Sequence, residues 1–134
     1  MIIYADTSAV AKLFIAEAES ADLRRWLARQ PQPRLASSAL LGVELIRLLG
    51  LARPAAVPAA ERFLAADVDI VEIIPAVLAD ATTISPPRLR TLDAIHLAAA
   101  IDLGAVVDVI LTYDELLAEA ARLAGVAVAS PGQP

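Results

Sequence analysis

Cysteine is absent from this chain, and lysine, histidine and tryptophan each occur only once among its 134 residues. The lack of cysteine excludes disulfide bonds and metal sites built from thiolates. Aromatic residues are only 4% of the chain, so a core must come mainly from the Ala, Leu, Val and Ile that dominate its 58% apolar content. This length and composition suit one domain.

Long apolar runs are also missing. No stretch reaches the roughly 18 uninterrupted apolar residues of a membrane span. The longest candidates are broken by charge, at Glu44 and Arg47 in residues 35–52 and at Asp108 in residues 103–113. The N-terminus lacks the basic region of a secretory signal. We therefore expect a soluble, cytoplasmic protein without membrane contact.

Basic residues are outnumbered 11 to 16, which gives a formal net charge of −5. This balance argues against broad nucleic-acid binding, because Lys and Arg provide the attraction for phosphate. The cations are nevertheless clustered, at Arg24, Arg25 and Arg29 and again at Arg88 and Arg90. A few of the scattered acidic residues occupy positions where burial is expected.

Strand-like and helix-like patterns alternate along the chain. Strands are predicted at 1–5, 34–38, 69–73, 109–113 and 126–130, and helices at 8–15, 18–29, 39–52, 54–67, 75–84, 91–104 and 114–125. Such alternation is typical of a parallel sheet covered by helices on both faces. We expect a single domain over residues 1–129 and a frayed tail at 130–134.

Four carboxylates stand out by their context. Asp6 and Asp114 each follow a predicted strand, and the carboxyl ends of parallel strands share the edge of the sheet where ligands bind. Glu44 lies in a helix that is apolar nearly all round, and Asp93 opens another apolar helix. Clustered buried carboxylates repel one another unless a cation compensates. Mg²⁺ and Mn²⁺ prefer oxygen ligands of this kind.

Each of these residues also has an ordinary structural interpretation. Asp6 and Asp114 suit the cap of the helix that follows them. Asp93 near a helix N-terminus is favoured by the helix dipole. Glu44 and Arg47 are spaced as a surface ion pair. Taken separately, none of the four signals is specific.

Several segments together resemble PIN-domain proteins, and most closely the VapC-like toxins of bacterial and archaeal toxin–antitoxin pairs. These are YADTSAVAKL (4–13), VEL (43–45), LRTLDAIHLAAA (89–100) and LTYDELLAEAARLAGV (111–126), in matching order and approximate spacing. The resemblance covers nearly the whole chain. It implies a three-layer α/β/α sandwich around a mostly parallel sheet of four or five strands.

The resemblance further implies a Mg²⁺- or Mn²⁺-dependent endoribonuclease. Asp6 and Asp93 match the principal metal ligands, with Asp114 assisting. Glu44 matches the family's helix glutamate and would either bind a metal-bound water or orient the attacking one. The family's supporting hydroxyl groups fall on Thr7 or Ser8 and on Thr112. The four carboxylates would together form the catalytic set.

RNA contacts must come from cations. Arg88 and Arg90 precede the Asp93 helix directly, and Lys12 lies near the first helix. The resemblance implies three partners: RNA, a VapB-like antitoxin and a second copy of the chain.

An interface with such a partner needs apolar anchors at the surface. Phe14, Trp26 and Leu48 are candidates. The alternative is that these three side chains simply complete the core.

Two other functions stay open at this point. One is a catalytically silent PIN-like interaction module. The other is an aspartate-based phosphotransfer or phosphatase domain, which is disfavoured because Ser8 stands where a second aspartate is needed and Lys12 is the only lysine. A Ser-His-Asp triad would depend on His96, the only histidine. Because His96 lies in an apolar helix, we interpret it instead as a packing or hydrogen-bonding residue.

Overall fold

Five short parallel strands form the centre of the computed structural model, which describes residues 1–134. Their bounds are β1 Ile2–Ala5, β2 Arg34–Ser38, β3 Val68–Val71, β4 Val109–Leu111 and β5 Val128–Ala129. Their order across the sheet is β3-β2-β1-β4-β5, and every neighbouring pair is parallel. The predicted α/β/α fold is confirmed, with five strands.

Seven α-helices connect the strands. They are α1 Thr7–Val10, α2 Ser20–Arg29, α3 Leu40–Ala52, α4 Val57–Ala66, α5 Pro75–Ala81, α6 Thr91–Leu103 and α7 Glu115–Leu123, with short 3₁₀ turns at Ala11–Leu13, Pro54–Ala56 and Gly104–Val106. The helix predicted at 8–15 is therefore one α-helical turn followed by a 3₁₀ turn. No helix is both long enough and apolar enough to span a bilayer.

The sheet separates two hydrophobic cores. Ile3 and Ala5 of β1 pack into one core together with Leu45 of α3. Tyr4, between them, packs into the other core together with Leu97 of α6. This division follows from the strand itself, because successive side chains point to opposite faces.

The strand predicted at 109–113 ends early, at Leu111. Beyond it, the backbone N–H of Tyr113 donates to Ser8 Oγ, and that of Asp114 donates to Thr112 Oγ1. The chain leaves the sheet here because side-chain hydroxyls replace a neighbouring strand as hydrogen-bond partners. The resulting turn lies beside the end of β1.

The last residues lie against this turn. Ser130 Oγ donates to the Thr112 carbonyl at 2.6 Å, and Tyr113 OH donates to the Pro131 carbonyl at 2.7 Å. Fraying of residues 130–134 in solution stays a prediction.

Candidate active site

Asp6 is buried directly after β1, where it both caps α1 and meets β4. Its Oδ1 accepts hydrogen bonds from Ala9 N at 3.1 Å and Ser8 Oγ at 2.7 Å. Its Oδ2 accepts one from Thr112 Oγ1 at 2.7 Å. Burial raises the pKa of Asp6, while the hydrogen bonds from Ser8 and Thr112 oppose that rise. The capping interpretation and the strand-edge interpretation therefore both hold.

Two hydroxyls connect the ends of β1 and β4. Ser8 Oγ and Thr112 Oγ1 lie 3.2 Å apart, and each also bonds Asp6. Thr112 Oγ1 accepts the backbone N–H of Asp114 at 3.1 Å. The predicted supporting residues Ser8 and Thr112 thus link the first and last aspartates through a continuous hydrogen-bonded path.

Asp93 and Asp114 share one cation, the guanidinium of Arg90. Arg90 Nε lies 3.1 Å from Asp93 Oδ2, and its terminal nitrogen forms an ion pair with Asp114 Oδ2. Asp114 also caps α7, because its Oδ1 accepts from Leu117 N at 2.9 Å. Arg90 thus contacts both carboxylates at once.

The ionised form of Asp93 is disfavoured in the folded protein. Burial raises its pKa, the negative charge of Asp114 adds to the rise, and Arg90 opposes both. The ion pair with Asp93 in turn raises the pKa of Arg90. The carboxylates of Asp93 and Asp114 therefore need a positive charge nearby in order to stay ionised together.

Glu44 reaches the same region from α3. Its Oε1 accepts hydrogen bonds from Thr7 Oγ1 at 2.9 Å and from His96 Nε2 at 2.6 Å. Burial would raise the pKa of Glu44, but its interactions with His96, Thr7 and Arg90 outweigh burial and hold it below its ordinary value. No ion pair joins Glu44 to Arg47, so the surface-pair alternative is wrong.

His96 is buried and hydrogen-bonded, as its apolar helix indicates, but sequence reasoning missed its partners. Nδ1 lies 2.9 Å from Tyr4 OH, and Nε2 contacts Glu44. Burial raises the pKa of Tyr4 to about 12. One signal was available in the sequence: His96 follows Asp93 by three residues, so the two share a helix face.

A cleft of about 430 Å³ opens at this edge and is lined by Glu44, Arg90 and Asp93 together with Thr91 and Leu92. A larger apolar cavity of about 490 Å³ contains no carboxylate and is lined by residues of α5, α6 and the loop between them. Of these two, the smaller cleft is the candidate site, because it contains ionisable side chains and the larger cavity does not.

A divalent cation fits the donors of this cleft but not their present arrangement. All candidate ligands are carboxylate oxygens, which Mg²⁺ and Mn²⁺ prefer. No three carboxylate or histidine side chains converge closely enough to hold an ion, however. Arg90 already neutralises Asp93 and Asp114, and its side chain is 70% exposed. A metal ion would bind these two carboxylates only if this exposed side chain turned away.

The other two cations predicted to bind RNA are differently placed. Arg88 is exposed and pairs with Glu119 at 2.6 Å. Lys12 is buried, with Nζ 3.0 Å from Glu17 and 2.9 Å from Glu19. Lys12 is therefore unsuited to the RNA contact predicted for it, because two carboxylates already neutralise its charge.

Comparison with known proteins identifies the family of the chain. The family model described as PIN domain matches residues 3–123. The chain is 41% identical over 133 residues to the protein named Ribonuclease VapC47 from Mycobacterium tuberculosis (strain CDC 1551 / Oshkosh), and the match covers 98% of each chain.

Solved structures share the fold at lower identity. Mycobacterium tuberculosis VapC20, titled a Sarcin-Ricin loop cleaving toxin, aligns with a TM-score of 0.76 at 23% identity and covers 96% of this chain and 99% of its own. A chain of a toxin-antitoxin complex from Klebsiella pneumoniae aligns with a TM-score of 0.67 at 19% identity, over 96% of this chain and 97% of its own.

Proposed function

The chain belongs to the PIN domain family, and we propose that it is a VapC-type toxin ribonuclease that hydrolyses RNA phosphodiester bonds at the cleft of Glu44 and Asp93. Full-length similarity to a ribonuclease at 41% identity supports the activity. The carrying observation is the sharing of Arg90 by Asp93 and Asp114, because it marks a site that requires a cation.

Asp6, Asp93 and Asp114 are the residues that would hold Mg²⁺ or Mn²⁺. Such an ion would supply activation of water and stabilisation of the negative charge that develops at the phosphate. The protein would fix these ligands through its own hydrogen bonds. Thr112 Oγ1 donates to Asp6 Oδ2, and Leu117 N donates to Asp114 Oδ1. Both carboxylates would therefore already be oriented before an ion binds.

Glu44 has the role of orienting the attacking water. Its lowered pKa keeps it ionised at neutral pH, which suits a hydrogen-bond acceptor better than a proton carrier. The water oxygen bonds to phosphorus and the bond to the leaving ribose oxygen breaks. The proton lost by the water passes to solvent, and solvent returns one to the leaving oxygen.

Arg90 has two successive partners in this proposal. Before the metal binds, it neutralises Asp93 and Asp114. Once displaced, its guanidinium is available to the RNA backbone, and arginine suits phosphate because its planar donors match the oxygens. Arg88, on the same loop, would extend this contact.

The partners proposed are an RNA substrate, a VapB-like antitoxin and a second copy of the chain. The likeness of fold to a chain from a toxin-antitoxin complex supports the antitoxin. Phe14 and Trp26 pack against the first core and are not free anchors, whereas Leu48 is 39% exposed. Val43 and Leu51 on the same helix are 61% and 89% exposed, so α3 offers an apolar surface.

A silent interaction module remains the second candidate, because Arg90 satisfies two site carboxylates without any metal ion. RNA cleavage by the purified chain separates the two candidates. We expect cleavage with Mg²⁺ or Mn²⁺, none with EDTA, and none from Asp93→Asn. Asp102→Asn is the matched control, since it removes an exposed carboxylate from the same helix. Cleavage that survives both EDTA and Asp93→Asn would refute the proposal.

A further inference from the structure

We propose that His96 is a positioning residue for Glu44, held in a single tautomer by Tyr4 so that one oxygen of the glutamate is fixed and the other is left for the site. This inference rests on the proposed function for its purpose, but its geometry stands on hydrogen bonds alone. Its three members come from β1, α3 and α6.

The location of the imidazole proton follows from counting donors. Glu44 is ionised and accepts only, so the 2.6 Å contact with Nε2 requires a hydrogen on that nitrogen. On the other side of the ring, the phenolic oxygen of Tyr4 already accepts the backbone N–H of Ser38 at 3.1 Å. The Tyr4 hydroxyl hydrogen then needs an acceptor, and Nδ1 at 2.9 Å supplies it.

The alternative protonation is poorly accommodated. A hydrogen on Nδ1 would also point at the Tyr4 oxygen, so two donors would meet there and an unprotonated Nε2 would face the Glu44 carboxylate. Ser38 Oγ, 3.4 Å from Nδ1, is a weaker neighbour and accepts the backbone N–H of Leu40. The buried surroundings thus select the Nε2–H form, because an unsatisfied buried donor is costly.

The two carboxylate oxygens of Glu44 therefore have different hydrogen-bond partners. His96 Nε2 and Thr7 Oγ1 both donate to Oε1, and no protein group donates to Oε2. The side chain is held at one oxygen from two directions, by α1 and by α6. Oε2 is consequently the atom available to orient a water molecule in the cleft that Glu44 lines.

Nitrogen NMR tests the tautomer without RNA or metal. The chain has a single histidine, so the side-chain signals of tag-free, ¹⁵N-labelled protein need no further assignment. We expect one protonated and one unprotonated nitrogen, with the protonated one correlated strongly to both carbon-bound ring protons, which identifies it as Nε2. A neutral imidazole with its hydrogen on Nδ1 would overturn the proposal.

The two tyrosines of the chain provide a matched pair of variants. Tyr4→Phe should shift the Nδ1 signal, because that nitrogen loses its hydrogen-bond donor. Tyr113→Phe, which loses a hydroxyl bonded to the Pro131 carbonyl, should leave the histidine signals unchanged. Unchanged signals in Tyr4→Phe would contradict the role given to Tyr4.

A second pair of variants tests the effect on Glu44. The amide nitrogen of glutamine in His96→Gln can reach near the position of Nε2, whereas that of asparagine in His96→Asn reaches only as far as Nδ1. We expect kcat to fall about 10–100-fold in His96→Asn with KM unchanged, and His96→Gln to recover most of the loss. Equal losses in both variants would indicate a merely structural role and would overturn the proposal.

The readouts separate this inference from the proposed function. Wild-type protein that gives the Nε2–H pattern but cleaves no RNA would contradict the nuclease function while supporting the hydrogen-bonded geometry. Wild-type protein that cleaves RNA with a different tautomer would support the nuclease and contradict the positioning by His96.

Discussion

Thr112 Oγ1 donates a 2.7 Å hydrogen bond to Asp6 Oδ2 across 106 positions of the sequence. The bond joins the end of β4 to the end of β1, which are neighbouring strands. A parallel pairing brings these ends together, and the hydroxyl then fixes which way the Asp6 carboxylate faces. The first aspartate of the site is thus oriented by the segment that supplies the last one.

Replacement of this hydroxyl should affect both stability and activity. Thr112→Val keeps the volume of the side chain but leaves Asp6 Oδ2 without its donor. We expect a loss of about 1–3 kcal/mol in the free energy of unfolding, measured in urea, and cleavage about 10–100-fold slower. Thr83→Val is the control, because Thr83 is exposed and outside the site. Wild-type values for Thr112→Val would show that the bond has no such role.

Removal of Arg90 should strengthen metal binding. Arg90→Ala frees Asp93 and Asp114 from a competing cation, and an exposed pair of this kind is worth up to about 1 kcal/mol. Calorimetry should therefore show Mn²⁺ bound up to about fivefold more tightly. RNA affinity should fall, because a phosphate contact is lost. Arg88→Ala should leave Mn²⁺ affinity unchanged. Weaker Mn²⁺ binding by Arg90→Ala would contradict the idea of a shared cation site.

Metal affinity should decline as the pH falls. The pKa values of Asp6 and Asp93 are raised by burial, so these ligands protonate at a higher pH than ordinary carboxyls do. Protonated carboxyls do not bind the ion. Mn²⁺ titrations between about pH 7 and about pH 4 should show this loss. Affinity that stays constant until the ordinary carboxyl range would contradict the raised values.

The metal-free chain should show the opposite trend in stability. A carboxyl whose pKa is raised on folding favours the folded state when protonated. Its contribution is fully present below the ordinary pKa and is lost as the pH rises through the raised value. Asp93→Asn should therefore reduce the pH dependence of urea unfolding and be more stable than wild type near neutral pH without metal. Lower stability of this variant at neutral pH would count against the electrostatic cost assigned to Asp93.

The apolar surface of α3 should be dispensable for folding and required for association. Leu51 is 89% exposed, so Leu51→Asp should change the free energy of unfolding by less than about 0.5 kcal/mol. We expect this variant to weaken self-association or antitoxin capture, measured by light scattering and by calorimetry with the antitoxin. Leu123→Asp on α7, where Leu123 is 66% exposed, is the control. Association unaffected by Leu51→Asp would place the interface elsewhere.

The residues at the edge of the sheet could be predicted from the sequence better than the contacts between the helices that pack on it. Asp6 and Asp114 could be brought together by reasoning, because parallel strands end at a common edge. The bond between Glu44 and His96 could not, since it joins two helices whose relative placement is set by packing on opposite sides of the sheet. No local pattern in either helix encodes that distance.

Lys12 shows that the availability of a charged side chain is equally hard to predict from sequence. Because Lys12 lies near the first helix, we predicted from the sequence that its ammonium group is available to RNA. The turn that follows brings Glu17 and Glu19 back onto its ammonium group, and Tyr113 covers it with the ring centroid 4.7 Å from Nζ. A turn that reverses the chain is decided by tertiary packing, so the availability of a charge cannot be read from its neighbours in sequence.

The central position of β1 has a consequence for when the protein becomes active. β1 pairs with β2 on one side, but its other neighbour, β4, comes from residues 109–111. During synthesis the first half of the chain can pair β1 with β2 while Asp93 and Asp114 have not yet been made. Residues 1–113 must therefore be synthesised before the proposed set of carboxylates is complete. The long sequence separation between β1 and β4 therefore delays assembly of the proposed site until β4 and Asp114 have been made.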